Sequence, residues 1–167
     1  MDSWVDGQPA DALSLKDRGL AYGDGLFETI AVHDGFPVLL DRHLVRLAKG
    51  CRRLAINLDH AAVVSEVLTY AEQLNDGVLK LIITRGDSLR GYAFDPSAQA
   101  RRILTGNPPA VYPQAHAEQG IRLFPCTTRL SFQPLLAGLK HLNRLEQVMA
   151  RAEWQDTRSG EVTASSE

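Results

Sequence analysis

Apolar and polar positions along this chain change period several times, and those changes divide it into elements. Residues 3–6 read as a short strand closed by a Gly7-Gln8-Pro9 turn. Phe27 to Val32 reads as a second strand, and His33-Asp34-Gly35 predicts a hairpin turn into Phe36 to Leu40. The period then lengthens. Leu40, Leu44, Leu47, Cys51 and Leu54 recur at helical steps and mark a buried face, with Asp41 as the expected N-cap. A second helix is predicted from about Ala61 to Leu74, with Val63, Val64, Val67, Leu68, Ala71 and Leu74 inward. Gly77 opens a near-continuous apolar run, Val78 to Arg85, which predicts a strand buried on both faces. Arg102 to Thr105 and Ile121 to Pro125 read as further strands, with a break at Asn107-Pro108-Pro109 between them. Thr127 to Gly138 is a loop. Leu142, Leu145 and Val148 or Met149 then take helical spacing, predicting a helix that begins right after Lys140 and runs to about Trp154. Residues 155–167 are polar and small, without the apolar content of a core element, and are expected to be a frayed tail.

These elements add up to an α+β fold: a mixed, mainly antiparallel sheet drawn from residues 1–40 and 77–126, with two helices packed on one face. The expected division is an α+β domain over 1–126, a linker and lysine-bearing helix over 127–154, and the polar tail over 155–167.

Totals narrow the function classes. The chain has 167 residues, 44% hydrophobic and 23% charged, with a net charge of −2. That suits one ordinary domain, or one large and one vestigial. A slight acidic balance argues against a nucleic-acid binder, which carries a basic excess. No apolar run approaches the ~20 residues that span a bilayer, and the start lacks the basic and apolar regions of a signal peptide. Cys51 and Cys126 have no metal-type spacing and are expected to be reduced, in a cytoplasmic protein.

Four features carry candidate chemistry. Lys140 sits in an apolar run, Leu135-Leu-Ala-Gly-Leu-Lys-His-Leu142, with Gly138 two residues before it. Apolar surroundings disfavour the charged form of a lysine, and a neutral lysine can form a Schiff base or act as a base. A lysine can also simply snorkel its ammonium to water at a loop end. Gly19, Gly23 and Gly25 crowd one turn before a strand, which calls for positive φ or close backbone approach. Arg42, Arg46, Lys49 and Arg53 form a basic stripe on the first long helix; it is either a solvated face or a source of one contact to an anion such as a phosphate. Arg85-Gly-Asp-Ser-Leu-Arg-Gly-Tyr92 places two arginines and a tyrosine just beyond the end of a strand, where loops often bind ligands.

Five ordered motifs carry a resemblance. They are Asp17-Arg-Gly with Tyr22-Gly-Asp-Gly-Leu-Phe-Glu-Thr29, His43-Leu-Val-Arg-Leu47, Gly77-Val-Leu-Lys80, Arg85-Gly with Arg90-Gly-Tyr92, and Leu136-Ala-Gly-Leu-Lys-His-Leu-Asn-Arg-Leu-Glu-Gln-Val148. Together they resemble the fold-type IV pyridoxal-phosphate enzymes, and among those most closely the aminodeoxychorismate lyases. The resemblance implies a homodimeric enzyme of folate biosynthesis that uses pyridoxal 5'-phosphate to convert 4-amino-4-deoxychorismate into 4-aminobenzoate and pyruvate. It implies that Lys140 bonds the cofactor and moves the substrate proton. It places Arg46 on the cofactor phosphate, Asn143 in the cofactor-binding lysine motif, and Phe27, Arg90 and Tyr92 beside the substrate.

The same resemblance implies a second domain after the lysine helix, supplying an acidic partner for the pyridine nitrogen and backbone donors for the phosphate. Gly160-Glu-Val-Thr163 is similar to the segment before that acid, and neither Glu161 nor Glu167 replaces it, so the chain is expected to be C-terminally truncated. Two other readings stay open: a D-amino-acid or branched-chain aminotransferase of the same superfamily, and a non-catalytic remnant or dimerising interaction module.

Overall fold

A hairpin and its neighbours set the sheet. The structure, a computed structural model, describes residues 2–88 and 91–156. Arg90 and the tail from residue 157 onward lie outside the described residues. The described part falls into two units, one comprising residues 1–111 with 138–142 and the other residues 112–137 with 143–167.

In the first unit the chain runs β1 (Trp4–Val5), β2 (Gln8–Pro9), α1 (Arg18–Tyr22), β3 (Gly25–His33), β4 (Phe36–Pro37), α2 (Leu40–Leu54), α3 (His60–Leu74), β5 (Gly77–Thr84) and β6 (Arg101–Asn107). The six strands form one sheet in the order β2-β1-β6-β5-β3-β4, every neighbouring pair antiparallel. This is the expected α+β architecture. Asp34 and Gly35 both take positive φ, 48° and 79°, as a two-residue hairpin loop with right-handed strand twist requires.

Side-chain alternation separates the two faces of the sheet. Leu26, Ile30 and Val32 of β3, Leu79, Leu81 and Ile83 of β5 and Leu104 of β6 are buried, together with Leu44, Leu47 and Cys51 of α2 and Val63, Val67, Tyr70 and Ala71 of α3. Gly50 marks the close approach of α2 to β3: a Cβ there would stand 2.7 Å from Leu26 Cδ1. Val78, Lys80 and Ile82, which alternate with the buried residues of β5, are only half-buried. The expectation that β5 is buried on both faces is therefore corrected. An apolar run does not distinguish a fully buried strand from one whose second face lines a site.

Other boundaries shift for local reasons. β4 ends at Pro37, and Leu39 turns into α2 with φ 54°, so Leu39 and not Asp41 is the N-cap; Asp41 sits in the first turn. There its charge still favours the helix dipole. Asp59 caps α3 by accepting from the Ala62 N–H at 3.0 Å. Leu68, expected inward, is exposed. The glycine-rich turn contains α1, capped by the Asp17 carboxylate and closed by Gly23 at φ 66°. Gly19 and Gly25 satisfy close approach: a Cβ at either would come within 2.3 Å of Thr84 Cγ2 or of the Ile83 carbonyl oxygen.

The second unit contains α4 (Gln114–Gln119) and α5 (Leu145–Asp156). The strand expected over 121–125 is absent. Ile121, Leu123 and Phe124 are exposed and no ladder pairs them among the described residues; apolar alternation makes a strand only where a partner edge accepts it. Glu153 of α5 ties down the 127–128 turn, accepting from the backbone N–H groups of Thr127 at 2.6 Å and Thr128 at 2.8 Å and from the Thr128 hydroxyl.

Candidate active site

The helix expected from Lys140 starts instead at Leu145. Residues 140–142 are held as a strip along the edge of β3. The Phe27 N–H donates to the Lys140 carbonyl at 2.9 Å and the Leu142 N–H donates to the Gly25 carbonyl at 3.1 Å, with Leu26 opposite His141. β4 covers β3 only at Val32 and His33, so this end of the strand has an edge to offer. Pairing places Lys140 on the side of Phe27: its Nζ lies 4.3 Å from the centroid of the Phe27 ring. Sheet-edge geometry, rather than a helix, positions the lysine.

Gly138, two residues earlier, has φ 76°. It lines a shallow groove of about 450 Å³ with Asp41, Arg42, Val45, Arg46 and Lys49 of α2. Three cations against one acid make this groove electropositive. Arg46 is fixed from below by Glu28 of β3, which is 1% exposed. The Arg46 Nε donates to Glu28 Oε1 at 2.8 Å, its Nη2 donates to Oε2, and His43 Nδ1 lies 2.8 Å from Oε2. Glu28 raises the Arg46 pKa, chiefly through that hydrogen bonding. A guanidinium has five N–H donors, and Glu28 engages one edge of it. The remaining donors can serve an anion, so the groove suits a phosphate in both charge and donor set.

The loop after β5 is organised by a buried arginine. Arg18 Nη1 donates to the carbonyls of Gly91 at 2.9 Å and Ala93 at 3.2 Å, and its Nη2 donates to the Tyr92 carbonyl at 3.1 Å. Asp24 accepts from Arg18 Nε at 2.8 Å and from Arg85 Nε and Nη2 at 2.8 and 3.0 Å. Arg85 also donates to the Leu54 and Ala55 carbonyls at 2.7 and 2.6 Å, joining the loop base to the end of α2. The Tyr92 ring is exposed and stands 5.6 Å from that of Tyr22.

Of the residues singled out from sequence, Lys140 and Phe27 are in contact, and Arg46 and Gly138 share the groove. Tyr92 sits on the Arg18-held loop, Arg90 is outside the described residues, and Asn143 is exposed in the second unit. Sequence reasoning missed Glu28, which holds Arg46 at the groove. The available signal was one charged residue inside an otherwise apolar strand, which needs a partner or a purpose.

The sequence profile of the amino-transferase class IV family matches residues 25–163. The aminodeoxychorismate lyase of Vibrio harveyi is 37% identical over 92% of this chain and 57% of that protein. The D-alanine aminotransferase of Bacillus licheniformis is 28% identical over 90% of this chain and 53% of that protein. Among solved structures, 4-amino-4-deoxychorismate lyase from Pseudomonas aeruginosa superposes with a TM-score of 0.87 at 66% identity, covering 91% of this chain and 56% of that one. The chain thus spans a little over half the length of the relatives it matches. With the profile covering most of its sequence, the chain belongs to the class IV aminotransferase family.

Proposed function

We propose that this chain carries the lysine-bearing part of a pyridoxal-phosphate lyase acting on 4-amino-4-deoxychorismate, releasing 4-aminobenzoate and pyruvate. The observation that carries the reading is the placement of Lys140 Nζ against the Phe27 ring, two residues from the cationic groove at Gly138. The 66% identity to the Pseudomonas lyase supports the choice of substrate.

In this reading Arg46, with Arg42 and Lys49 beside it, holds the cofactor phosphate by charge-assisted hydrogen bonds. Glu28 fixes the guanidinium and His43 supports Glu28 from the same helix. Bound pyridoxal phosphate supplies an electron sink for the pair left when the C–H bond beside nitrogen breaks. Lys140 Nζ bonds the cofactor at rest and takes that proton during turnover. Phe27 gives the lysine an apolar wall that limits water around it. Arg90 and Tyr92 meet the substrate from the loop after β5, and Asn143 assists at the cofactor. Loss of pyruvate leaves an aromatic ring, which drives the reaction. The enzyme works as a cytoplasmic homodimer, which sedimentation of the purified chain tests.

Product analysis tests the chemistry. Incubation with 4-amino-4-deoxychorismate and the cofactor is expected to yield pyruvate and 4-aminobenzoate in equal amounts. A keto acid with a new amino acid from D-alanine or branched-chain donors would instead assign the chain to aminotransferase chemistry.

A further inference from the structure

The loop after β5 is held more by polar contacts than by packing. Residues 91–97 are all exposed, and the relative exposure of Tyr92 is 86%. Apolar burial therefore fixes little of their conformation. Arg18 does that instead. Its side chain is 5% exposed, and its Nη1 and Nη2 donate to the carbonyls of Gly91, Tyr92 and Ala93, three in succession. Nη1 also donates to the Ser88 hydroxyl at 3.0 Å. Tyr22, on the same short helix, closes the arrangement. Its ring centroid lies 4.8 Å from Arg18 Cζ, its hydroxyl accepts from the Gly91 N–H at 3.1 Å, and its ring stands 5.6 Å from that of Tyr92. Gly91 has φ 82°, and a Cβ there would meet nothing within 4 Å, so glycine is needed for the backbone turn and not for space. Arg18 and Arg85 share the Asp24 carboxylate. Two guanidiniums against one carboxylate leave positive charge facing the loop's carbonyl oxygens, and the bonds to them are charge-assisted.

We infer that Arg18 and Tyr22 are positioning residues for the substrate: they fix the loop so that the Tyr92 ring is set before the substrate arrives. The inference rests on the reaction proposed above, in which Tyr92 meets the substrate, and names what gives that contact its geometry. Arg18 acts through the loop backbone. A loop that occupies its binding form only part of the time weakens apparent affinity by that fraction. Loss of the guanidinium is therefore felt in binding, while proton removal at Lys140 proceeds as before once the site is filled. The sheet tolerates the loss. Asp24 keeps both its bonds to Arg85, at 2.8 and 3.0 Å, and the freed carbonyls belong to exposed residues that water can reach.

Arg18→Met and Tyr22→Phe are compared with the parent chain, each saturated with pyridoxal phosphate. The binding probe is chorismate, which has a hydroxyl in place of the substrate's amine, and it is read by titration calorimetry. Its dissociation constant is expected to rise about 10-fold or more in Arg18→Met. In Tyr22→Phe, which loses one neutral hydrogen bond and keeps the ring, a rise of about threefold is expected. With 4-amino-4-deoxychorismate, KM should rise by the same factors while kcat stays within about threefold of the parent. Backbone hydrogen exchange should quicken over residues 91–94 in both variants and stay unchanged in β3 and β5. Tyr22→Phe alters no buried charge, so its result stands whether or not Arg18→Met folds. Chorismate binding that is absent from the parent, or equally tight in all three proteins, overturns the inference. So does a fall in kcat with KM unchanged, or exchange that quickens across the sheet as much as in the loop, which would mark a purely structural role. Arg18-dependent chorismate binding by a chain that releases no 4-aminobenzoate would contradict the proposed reaction and leave the positioning role standing.

Discussion

Phe27 and Lys140 are joined twice: the Phe27 N–H donates to the Lys140 carbonyl at 2.9 Å, and the Lys140 ammonium stands 4.3 Å from the centre of the Phe27 ring. The backbone bond sets where the lysine is, and the ring sets where its Nζ rests. Phe27 is 8% exposed, so Phe27→Ala removes a buried aromatic as well as the lysine's wall. It should cost about 3–5 kcal/mol in urea unfolding. Phe27→Tyr, which keeps the ring face, should retain cofactor capture. Equal loss of capture in both variants would show that the ring face does not matter.

Glu28 is the hinge between the sheet and the groove. Glu28→Gln leaves the shape and removes the charge that fixes Arg46. Loss of one member of a buried pair can cost about 3–5 kcal/mol. Arg46 is 47% exposed and can recover water, so about 1–3 kcal/mol is expected here. Affinity for pyridoxal phosphate should fall with it. A double-mutant cycle with Arg46→Ala checks the origin: additive losses in affinity would mean Glu28 does not act through Arg46.

Asp24 gives the fold a pH dependence with a definite sign. Burial pushes its carboxyl pKa up, but the hydrogen bonds and charges of Arg85 and Arg18 outweigh that, and the net shift is downward from 3.8. A carboxylate whose folded pKa is depressed contributes stability that is complete above its unfolded value. That contribution is lost as pH falls through the folded value. Asp24→Asn should therefore be less stable than the parent by about 2–3 kcal/mol at pH 7, and the gap should close below about pH 4. A gap unchanged down to pH 2 would contradict the assigned pairing.

Glu153 is expected to titrate at about 2, drawn down first by the Thr128 hydroxyl and then by the Thr127 N–H. Carboxyl-carbon NMR reads this directly. Thr128→Val removes the hydroxyl and should move the midpoint up toward 4.5, the ordinary value, without reaching it, since the backbone donors remain. An unmoved midpoint would mean the hydroxyl plays no part.

The sheet, the two long helices and Lys140 were legible because each rests on a local signal: period, turn chemistry, or a charged residue in an apolar run. What escaped depends on partners distant in sequence. The backbone around Lys140 has helical spacing after it, yet its first residues pair with β3, an edge that no local pattern reveals. The strand expected over 121–125 has the right composition and no ladder. β5 reads as wholly buried, yet Val78, Lys80 and Ile82 stand half-buried on its second face. Arg46 was ambiguous within its stripe until Glu28, eighteen residues earlier, selected it from its neighbours.

The central claim, that Lys140 captures pyridoxal phosphate, is tested most directly by visible absorbance of the purified 167-residue chain mixed with the cofactor, beside Lys140→Ala. A long-wavelength band of protein-bound cofactor in the parent, absent from the variant, is the predicted result. Spectra of free pyridoxal phosphate from both proteins, or the same bound band in both, would contradict it.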